Sequence, residues 1–273
     1  MSGTRLSILD WNCGQRVDAW SQAAAVGADV VLLQEAQPCP PDVDLQVVSP
    51  PAGEDWKTGG TLPRGWRTAV AVTPGVQADP IPLAPLDQAS VDQVGVSRAG
   101  TIAAARVTRE GSEPLIVASV YAPWETPWPH YEHGWIYADA SAHRVVSDLS
   151  QLSALQRDHR LIVAGDWNIL RGYGEGGSPY WAGRYATVFD RLEALGLGLV
   201  GPFAGRRPDP WPAELPQDST TTPTFWPPNG VPSRQLDFVF ASPSLVDSLT
   251  VTALNSASDW TADHCKIRIE VSL

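Results

Sequence analysis

The fold of this chain is decided by the stretch Leu161-Ile162-Val163-Ala164-Gly165-Asp166-Trp167-Asn168. Its first four residues are apolar and predict a buried strand, which ends by presenting a carboxylate and a carboxamide two residues apart. Side chains two apart on a strand share a face, so Asp166 and Asn168 are expected side by side. Gly165 lets another group approach the backbone closely. An acid beside an amide suits an attacking water and the oxyanion it attacks, although the same letters also fit a strand entering an Asp-x-Asn turn.

Other polar side chains have the same placement at the end of an apolar run or in the loop beyond it. Asn12 follows a strand predicted from Leu6 to Leu9, Glu35 follows one from Val30 to Leu33, and the pair Asp263-His264 directly precedes the last strand. This repeated placement makes these side chains candidate site residues.

Asp237 differs because it lies inside the apolar strand Leu236-Asp237-Phe238-Val239-Phe240. A carboxylate there costs several kcal/mol unless it is paired, hydrogen-bonded or metal-bound. Asp237 is therefore either a functional group or a structural acid that pairs with Arg234 or caps a turn.

The remaining pattern predicts sheet packed on sheet with helices outside. Helices are predicted over Arg16–Val26, Tyr137–Leu155 and Trp181–Leu195, and a long Pro/Trp/Thr loop over Pro202–Pro232. The other predicted strands are Leu45–Val48, Thr68–Val72, Thr101–Val107, Leu115–Tyr121, Gln235–Ala241, Leu249–Leu254 and Cys265–Val271.

Composition narrows the class of protein. The 273 residues are 43% hydrophobic, which suits a single β-rich domain over residues 1–273, and the formal net charge is -11 with only two lysines. An acidic chain repels nucleic acid at long range, so any phosphate contact must be local. Three cysteines without metal-type spacing, no secretory h-region and no run of transmembrane length predict a cytoplasmic protein that does not act at a membrane; no protein partner is inferred.

The polar groups at the strand ends are chemically suited to a hard cation. Mg²⁺ takes oxygen ligands and needs only one or two protein carboxylates, which Glu35 with the help of Asn12 would supply. No Cys/His set suited to zinc exists, and His130 and His133 are interpreted as plain loop histidines, with a metal pair as the alternative.

The chain carries six short motifs in this order: Trp11-Asn12, Leu33-Gln34-Glu35, Tyr121, Gly165-Asp166-Trp167-Asn168, Arg234-Gln235-Leu236-Asp237 and Ala262-Asp263-His264. Together they resemble the motifs of the endonuclease/exonuclease/phosphatase superfamily. Each is weak alone, but six in order across essentially the whole chain are specific for the superfamily, though not for a substrate. The resemblance is closer to the Tyr-bearing exonuclease III-type branch than to the deoxyribonuclease I/sphingomyelinase branch. It implies an α/β (α+β) fold, a four-layer αββα sandwich of two packed mixed sheets flanked by helices.

The resemblance implies a metal site. Glu35 looks like the main Mg²⁺ ligand, with Mn²⁺ as the alternative ion, Asn12 looks like its partner, and Asp263 looks like a further or second-metal ligand. Nuclease members often carry an acid two residues after the Asn, where this chain has Gly14. Glycine has no side chain to ligate a metal, so a second metal position is in doubt.

The resemblance also implies roles around the phosphate. Asp166 would orient or deprotonate the attacking water, and Asn168 would hold a phosphate oxygen. Tyr121 would donate to the phosphate, and His264 would bind the scissile phosphate with Asp237 hydrogen-bonded to its ring.

Aromatic and basic residues are predicted to contact the substrate. Trp124 stands where exonuclease III-type enzymes have the Asn of Tyr-x-Pro-Asn, and Thr224-Phe225-Trp226 resembles a nuclease motif that faces nucleic acid. Trp124, Trp128 and Trp226 could stack on bases. Arginines could contact phosphates if they converge, the candidates being Arg171, Arg184, Arg206, Arg207 and Arg234.

The leading expectation is a Mg²⁺-dependent phosphodiesterase that acts on DNA or RNA. The alternative is a small-molecule or lipid-headgroup phosphodiesterase or phosphatase, which the acidic charge and Trp-rich loops favour. A third alternative is a non-catalytic binding domain that kept the fold.

Overall fold

The computed structural model describes residues 5–58, 64–124, 138–155, 160–228, 230–256 and 258–273. The helices are α1 (Ala19–Val26), α2 (Ala138–Leu155), α3 (Pro179–Ala194) and the single turn α4 (Pro243–Val246), with a 3-10 turn at Glu175–Gly177. The strands are β1 (Arg5–Asn12), β2 (Val30–Ala36), β3 (Gln46–Ser49), β4 (Arg67–Val72), β5 (Gln77–Pro80), β6 (Leu83–Pro85), β7 (Val94–Val96), β8 (Ile102–Thr108), β9 (Leu115–Tyr121), β10 (Leu161–Asp166), β11 (Gly198–Gly201), β12 (Asp237–Ala241), β13 (Leu249–Leu254) and β14 (Lys266–Ser272).

The strands form two six-stranded mixed sheets. The first sheet has the order β13-β14-β1-β2-β4-β3 and the second β11-β12-β10-β9-β8-β5, while β6 and β7 form a separate parallel pair. Each large sheet contains one parallel pair near its centre, β1 with β2 and β9 with β10, and its other pairings are antiparallel. The predicted architecture of two packed mixed sheets flanked by helices is confirmed.

Period-2 alternation builds the layers. Leu6 and Ile8 of β1 face the second sheet, where they join an apolar core that includes Ile162 and Ala164 of β10. The opposite face of the first sheet packs on α1 through a core that contains Trp20. The opposite face of the second sheet packs on α2 and α3. The result is a helix-sheet-sheet-helix stack in which central strands such as β4 and β10 bury both faces.

The sequence pattern predicted the large elements and missed the small ones. Helix α1 begins at Ala19, three residues later than expected, and ends at Gly27 in a left-handed conformation as predicted. The strands β5, β6, β7 and β11 were not predicted because each has only three or four residues.

Residues Trp128, His130 and His133 lie outside the described part of the chain. Among the helices that the structure describes, none is long and apolar enough to cross a membrane.

The two parallel pairs place chemistry at one edge of the sandwich. In a parallel pair both strands end at the same side, so the ends of β1 and β2 carry Asn12 and Glu35, and those of β9 and β10 carry Tyr121 and Asp166. The antiparallel neighbours β12 and β14 begin at that edge. Asp237 is the first residue of β12 and pairs in register with Asp166.

Gly165 is required for this edge to form. Its φ is +147°, and a Cβ on it would lie 2.0 Å from the Val120 carbonyl oxygen. We expect Gly165→Ala to lower the free energy of unfolding by about 3 kcal/mol, because backbone strain and overpacking combine there. Urea unfolding checks this value.

Gly183 provides the matched control, since it lies exposed in α3 and an added Cβ would meet nothing within 4 Å. Gly183→Ala should raise the free energy of unfolding by about 0.5–1 kcal/mol. Equal effects from the two substitutions would show that the close approach at Gly165 is not a constraint.

Candidate active site

One histidine from the first sheet lies between two carboxylates of the second sheet. The Nδ1 atom of His264 is 2.8 Å from Asp237 Oδ2, and its Nε2 atom is 3.8 Å from Asp166 Oδ2. All three side chains are buried. The backbone of His264 is also held, because Trp11 Nε1 donates to its carbonyl oxygen and the Lys266 ammonium lies 4.2 Å from the Trp11 ring centroid.

Asp166 is oriented by amide groups. Its Oδ2 atom accepts from Asn12 Nδ2 at 3.0 Å and from Asn168 Nδ2 at 2.9 Å, while its Oδ1 atom accepts the Asn168 backbone N–H. Asn168 also donates to the Ala122 carbonyl, and its φ of 53° turns the chain away from the strand. The stretch is thus a strand and an Asx turn together, since the turn places the amide beside the carboxylate.

A β-bulge presents Glu35 to the site. The register of β2 against β4 shifts between Leu33 and Ala36, and Glu35 has a φ of 52°. Such a bulge re-aims a side chain that strict alternation would direct elsewhere. The Glu35 carboxylate accepts from Asn12 at 3.4 Å and from Gln15 at 3.1 Å, and the Tyr121 hydroxyl bonds to it.

A second polar row lies beneath these groups and was missed by the sequence reasoning. Gln34 Nε2 donates to Asp10 Oδ1 at 2.8 Å and to Ser119 Oγ at 2.9 Å, and Ser119 donates to the Leu33 carbonyl. Burial, followed by the charge of Asp237, raises the pKa of Asp10 well above its ordinary value. The signal was present, because Asp10 precedes Asn12 by two residues and so shares its face.

The central groups have strongly shifted proton affinities. Burial raises the pKa of Asp166 to about 8, with Asp237 adding to the rise and His264 opposing it. Desolvation alone would lower the pKa of His264, but the charges of Asp237 and Asp166 outweigh it and raise the pKa to about 10. His264 is therefore an imidazolium at neutral pH, which neutralises one buried carboxylate.

The loop before β12 is tied to this centre through a buried threonine. Thr224 Oγ1 accepts the backbone N–H groups of Leu236 and Asp237, and the Thr224 carbonyl accepts from Cys265 N. The ring of Phe225 packs 5.0 Å from that of His264. The Thr224-Phe225 segment thus fixes the starts of β12 and β14 relative to each other.

Two groups of side chains at this edge could hold a cation. Ligand atoms of Asp166, Asp237 and His264 lie within 4.8 Å of one another. The imidazolium already occupies that group, whereas Glu35 has only neutral partners among the described residues. Glu35, with Asn12 beside it, is therefore the better match for a hard divalent cation.

Asp263 stands apart from this group. It is exposed, and a Cβ built on Gly14 would lie 3.3 Å from its Oδ1 atom. An acidic side chain at residue 14 would thus be directed at Asp263, and glycine leaves Asp263 as the sole carboxylate of that pair. The structure therefore offers little for a second cation at this position.

The predicted substrate-contacting residues converge only in part. Arg234 forms an ion pair with Glu175 at 3.1 Å, and Arg184 pairs with the buried Asp139. Trp124 follows β9 and is 47% exposed, while Trp226 is 38% exposed and packs edge-on against Trp260. Arg206 and Arg207 line a cavity beside Trp226, whereas Arg171 lies elsewhere, against Phe203.

Comparison with known proteins agrees with this geometry. The model of the Endonuclease/Exonuclease/phosphatase family matches residues 11–264. The chain belongs to that family. The match extends from the start of the Trp11-Asn12 motif to His264, so all six motifs lie inside it. No curated protein matches the sequence.

Solved structures of the family share the fold at low sequence identity. The catalytic domain of APE2 from Xenopus laevis has a TM-score of 0.65 at 13% identity, covering 98% of this chain and 92% of that one. The endonuclease domain of the telomere-specific non-LTR retrotransposon TRAS1 has a TM-score of 0.62 at 15% identity, covering 98% and 99%. The 3'-5' exonuclease from Neisseria meningitidis has 0.57 at 16%, covering 98% and 100%.

Membership in this family establishes the reaction class. The chain is a hydrolytic phosphoesterase.

The raised pKa of His264 predicts a pH-dependent stability. Its ordinary pKa of 6.5 rises to about 10 in the folded protein, so the folded state binds the extra proton between those values. The stabilisation is fully present below pH 6.5 and is lost as pH rises through about 10. Metal-free wild type should therefore lose stability over this range in urea unfolding, and His264→Gln should lose less.

His143 provides the control for this measurement. Burial and the neighbouring Arg191 lower its pKa, so it is neutral above pH 7 both folded and unfolded. His143→Gln should keep the wild-type dependence of the free energy of unfolding on pH. A slope in His264→Gln equal to that of wild type would show that His264 is not held as an imidazolium.

Proposed function

We propose that the chain is a Mg²⁺-dependent phosphodiesterase that cleaves nucleic acid by in-line attack of water. The observation that carries the proposal is the bridging position of Asn12, whose amide contacts both the Glu35 and the Asp166 carboxylates, with His264 beyond Asp166. In this proposal a metal ligand, a base and a fixed positive charge are therefore neighbours at the edge of the sandwich.

In this proposal Glu35 and Asn12 hold the cation, with Asp263 as a more distant acidic group. Mg²⁺ is the preferred ion because all the donors are oxygens, and Mn²⁺ is the alternative. When bound, the ion supplies Lewis-acid polarisation of a phosphoryl oxygen.

Asp166 is proposed as the base. Two side-chain amides and one backbone N–H fix its carboxylate, and burial raises its pKa, which increases the affinity of the ionised form for the proton of a water. The side-chain amide oxygen of Asn168 can face a phosphate or the water. The base is thus oriented before substrate binds.

His264 is proposed to stabilise negative charge on the phosphate. Its Nδ1 is engaged by Asp237, which leaves Nε2 directed toward the edge where Asp166 lies. An imidazolium held in a buried site favours the transition state more than the ground state as charge develops. The Tyr121 hydroxyl, next to Glu35, is proposed to donate to another phosphoryl oxygen.

The proposed roles predict different losses for two substitutions. Asp166→Asn should lower kcat by about 100-fold or more toward methyl p-nitrophenyl phosphate while still binding Mg²⁺, because the base is lost and the ligand is kept. Glu35→Gln should lower both the rate and the calorimetric Mg²⁺ affinity. Asp87→Asn and Glu193→Gln, both at exposed acids, are the matched controls. Unchanged turnover in Asp166→Asn would rule out its role as base.

The second candidate is a phosphodiesterase or phosphatase of small molecules. The net charge of -11, together with the ion pairs that engage Arg184 and Arg234, favours it because a long polyanion gains most from a broad basic surface.

A substrate panel separates the two candidates. We expect cleavage of at least one of abasic, single-stranded and duplex DNA or RNA, with a rate that falls as salt rises from low to moderate. Turnover of small phosphodiesters with no cleavage of any nucleic acid would favour the second candidate and exclude the first.

A further inference from the structure

A cavity of about 230 Å³ lies directly beside the catalytic edge and takes no part in the chemistry described above. Trp226 and Trp260 form two of its walls, with ring centroids 5.5 Å apart and planes at 87°. Val231 and Pro232 add apolar surface, and Arg206 and Arg207 add positive charge. Its shape thus combines two aromatic faces with a cationic rim.

The cavity is coupled to the catalytic centre through the backbone. Trp226 N donates to the Asp263 carbonyl at 2.6 Å, and Phe225, the residue before Trp226, packs against His264. A group in this cavity is therefore close to any phosphate that contacts His264. The cavity is in position to hold a neighbouring part of the same substrate.

Both aromatic walls are fixed by hydrogen bonds to nearby backbone. Trp226 Nε1 donates to the Gly230 carbonyl at 2.9 Å, and Trp260 Nε1 donates to the Asn255 carbonyl at 3.2 Å. The two rings pack edge-to-face on each other, so the apolar surface available to a ligand is the part of each ring that lines the cavity. Fixed rings also lose little conformational entropy when a planar group stacks on them.

Arg206 is held in place while its charge remains available. The buried Asn255 accepts from Arg206 N at 2.7 Å and donates to its carbonyl at 2.9 Å. The guanidinium of Arg206 is exposed and forms no ion pair with any described residue. Arg207 is engaged by the Ser219 carbonyl and the Trp211 ring, and the cavity lining also contains Asp209.

We infer that this cavity binds one nucleobase of the substrate, with Arg206 contacting the next phosphate along the chain. This inference rests on the proposed function, since it assigns a second part of the substrate to the same site. A planar ring matches the indole surface that lines the cavity, and a phosphate matches the Arg206 guanidinium beside it. A site for a single base plus one phosphate also explains how an acidic protein recognises nucleic acid without a basic track.

The test compares competitive inhibitors of methyl p-nitrophenyl phosphate hydrolysis. Ribose 5-phosphate carries no base, adenosine 5'-monophosphate adds the base, and adenosine 3',5'-bisphosphate adds a second phosphate. In wild type we expect the monophosphate to inhibit about ten-fold more tightly than ribose 5-phosphate. Trp260→Ala should reduce this ratio to near one, and Trp260→Phe should keep most of it.

Arg206→Gln should weaken only the bisphosphate, by about five-fold, because an exposed charge contact is modest. Arg268→Gln, at an exposed arginine of β14, is its control. The KM of the reporter ester should stay unchanged in Arg268→Gln.

A variant that fills the cavity covers the case in which Trp260→Ala does not fold. Val231→Trp adds bulk at a residue that is 44% exposed and should abolish the base-dependent gain, whereas Val91→Trp, at a fully exposed position, should not. Equal inhibition by ribose 5-phosphate and adenosine 5'-monophosphate in wild type overturns the inference. The proposed function fails separately, if wild type does not hydrolyse the reporter ester or if Glu35→Gln hydrolyses it equally well.

Discussion

The contact of His264 with Asp166 and Asp237 is the constraint on which the rest of this structure depends. Asp166 and Asp237 lie opposite each other on adjacent strands of the second sheet, and both are buried. Two such carboxylates repel each other and resist desolvation. His264 comes from the first sheet and offsets part of that cost as an imidazolium, so the interaction that makes the site also holds the two sheets together at this edge.

The space between the two sheets is apolar at one end and polar at the other. At the far end Ile8 and Ile162 form an apolar core, whereas toward the edge the same alternating positions carry Asp10, then Asn12 and Asp166. Strand alternation alone produces this change, because residues of one parity share a face. The rigid apolar part therefore positions the polar part, and the candidate groups Asn12, Glu35 and Asp166 lie at strand ends.

The sequence was most informative where local pattern decides structure. Long apolar runs predicted the central strands. The ordered motifs, through their resemblance to the superfamily, predicted that Asn12, Glu35 and Asp166 lie at one edge. What the pattern could not supply depends on tertiary context. The bulge that re-aims Glu35 arises from its pairing with β4. Similarly, the partner of Arg234 is Glu175, which no spacing rule connects to it.

The distribution of charge explains how an acidic protein can act on a phosphate ester. With a formal net charge of -11, long-range attraction for a polyanion is absent, so binding must come from short-range contacts. At the catalytic edge the acidic groups outnumber the single imidazolium, and a bound cation is what would turn that edge from repelling a phosphate to attracting it. Binding of metal and binding of substrate should then be strongly coupled, because the ion removes the repulsion that the substrate would otherwise meet. The proposed binding of a base in the neighbouring aromatic cavity is consistent with this reasoning, because a ring can be recognised there without depending on net charge.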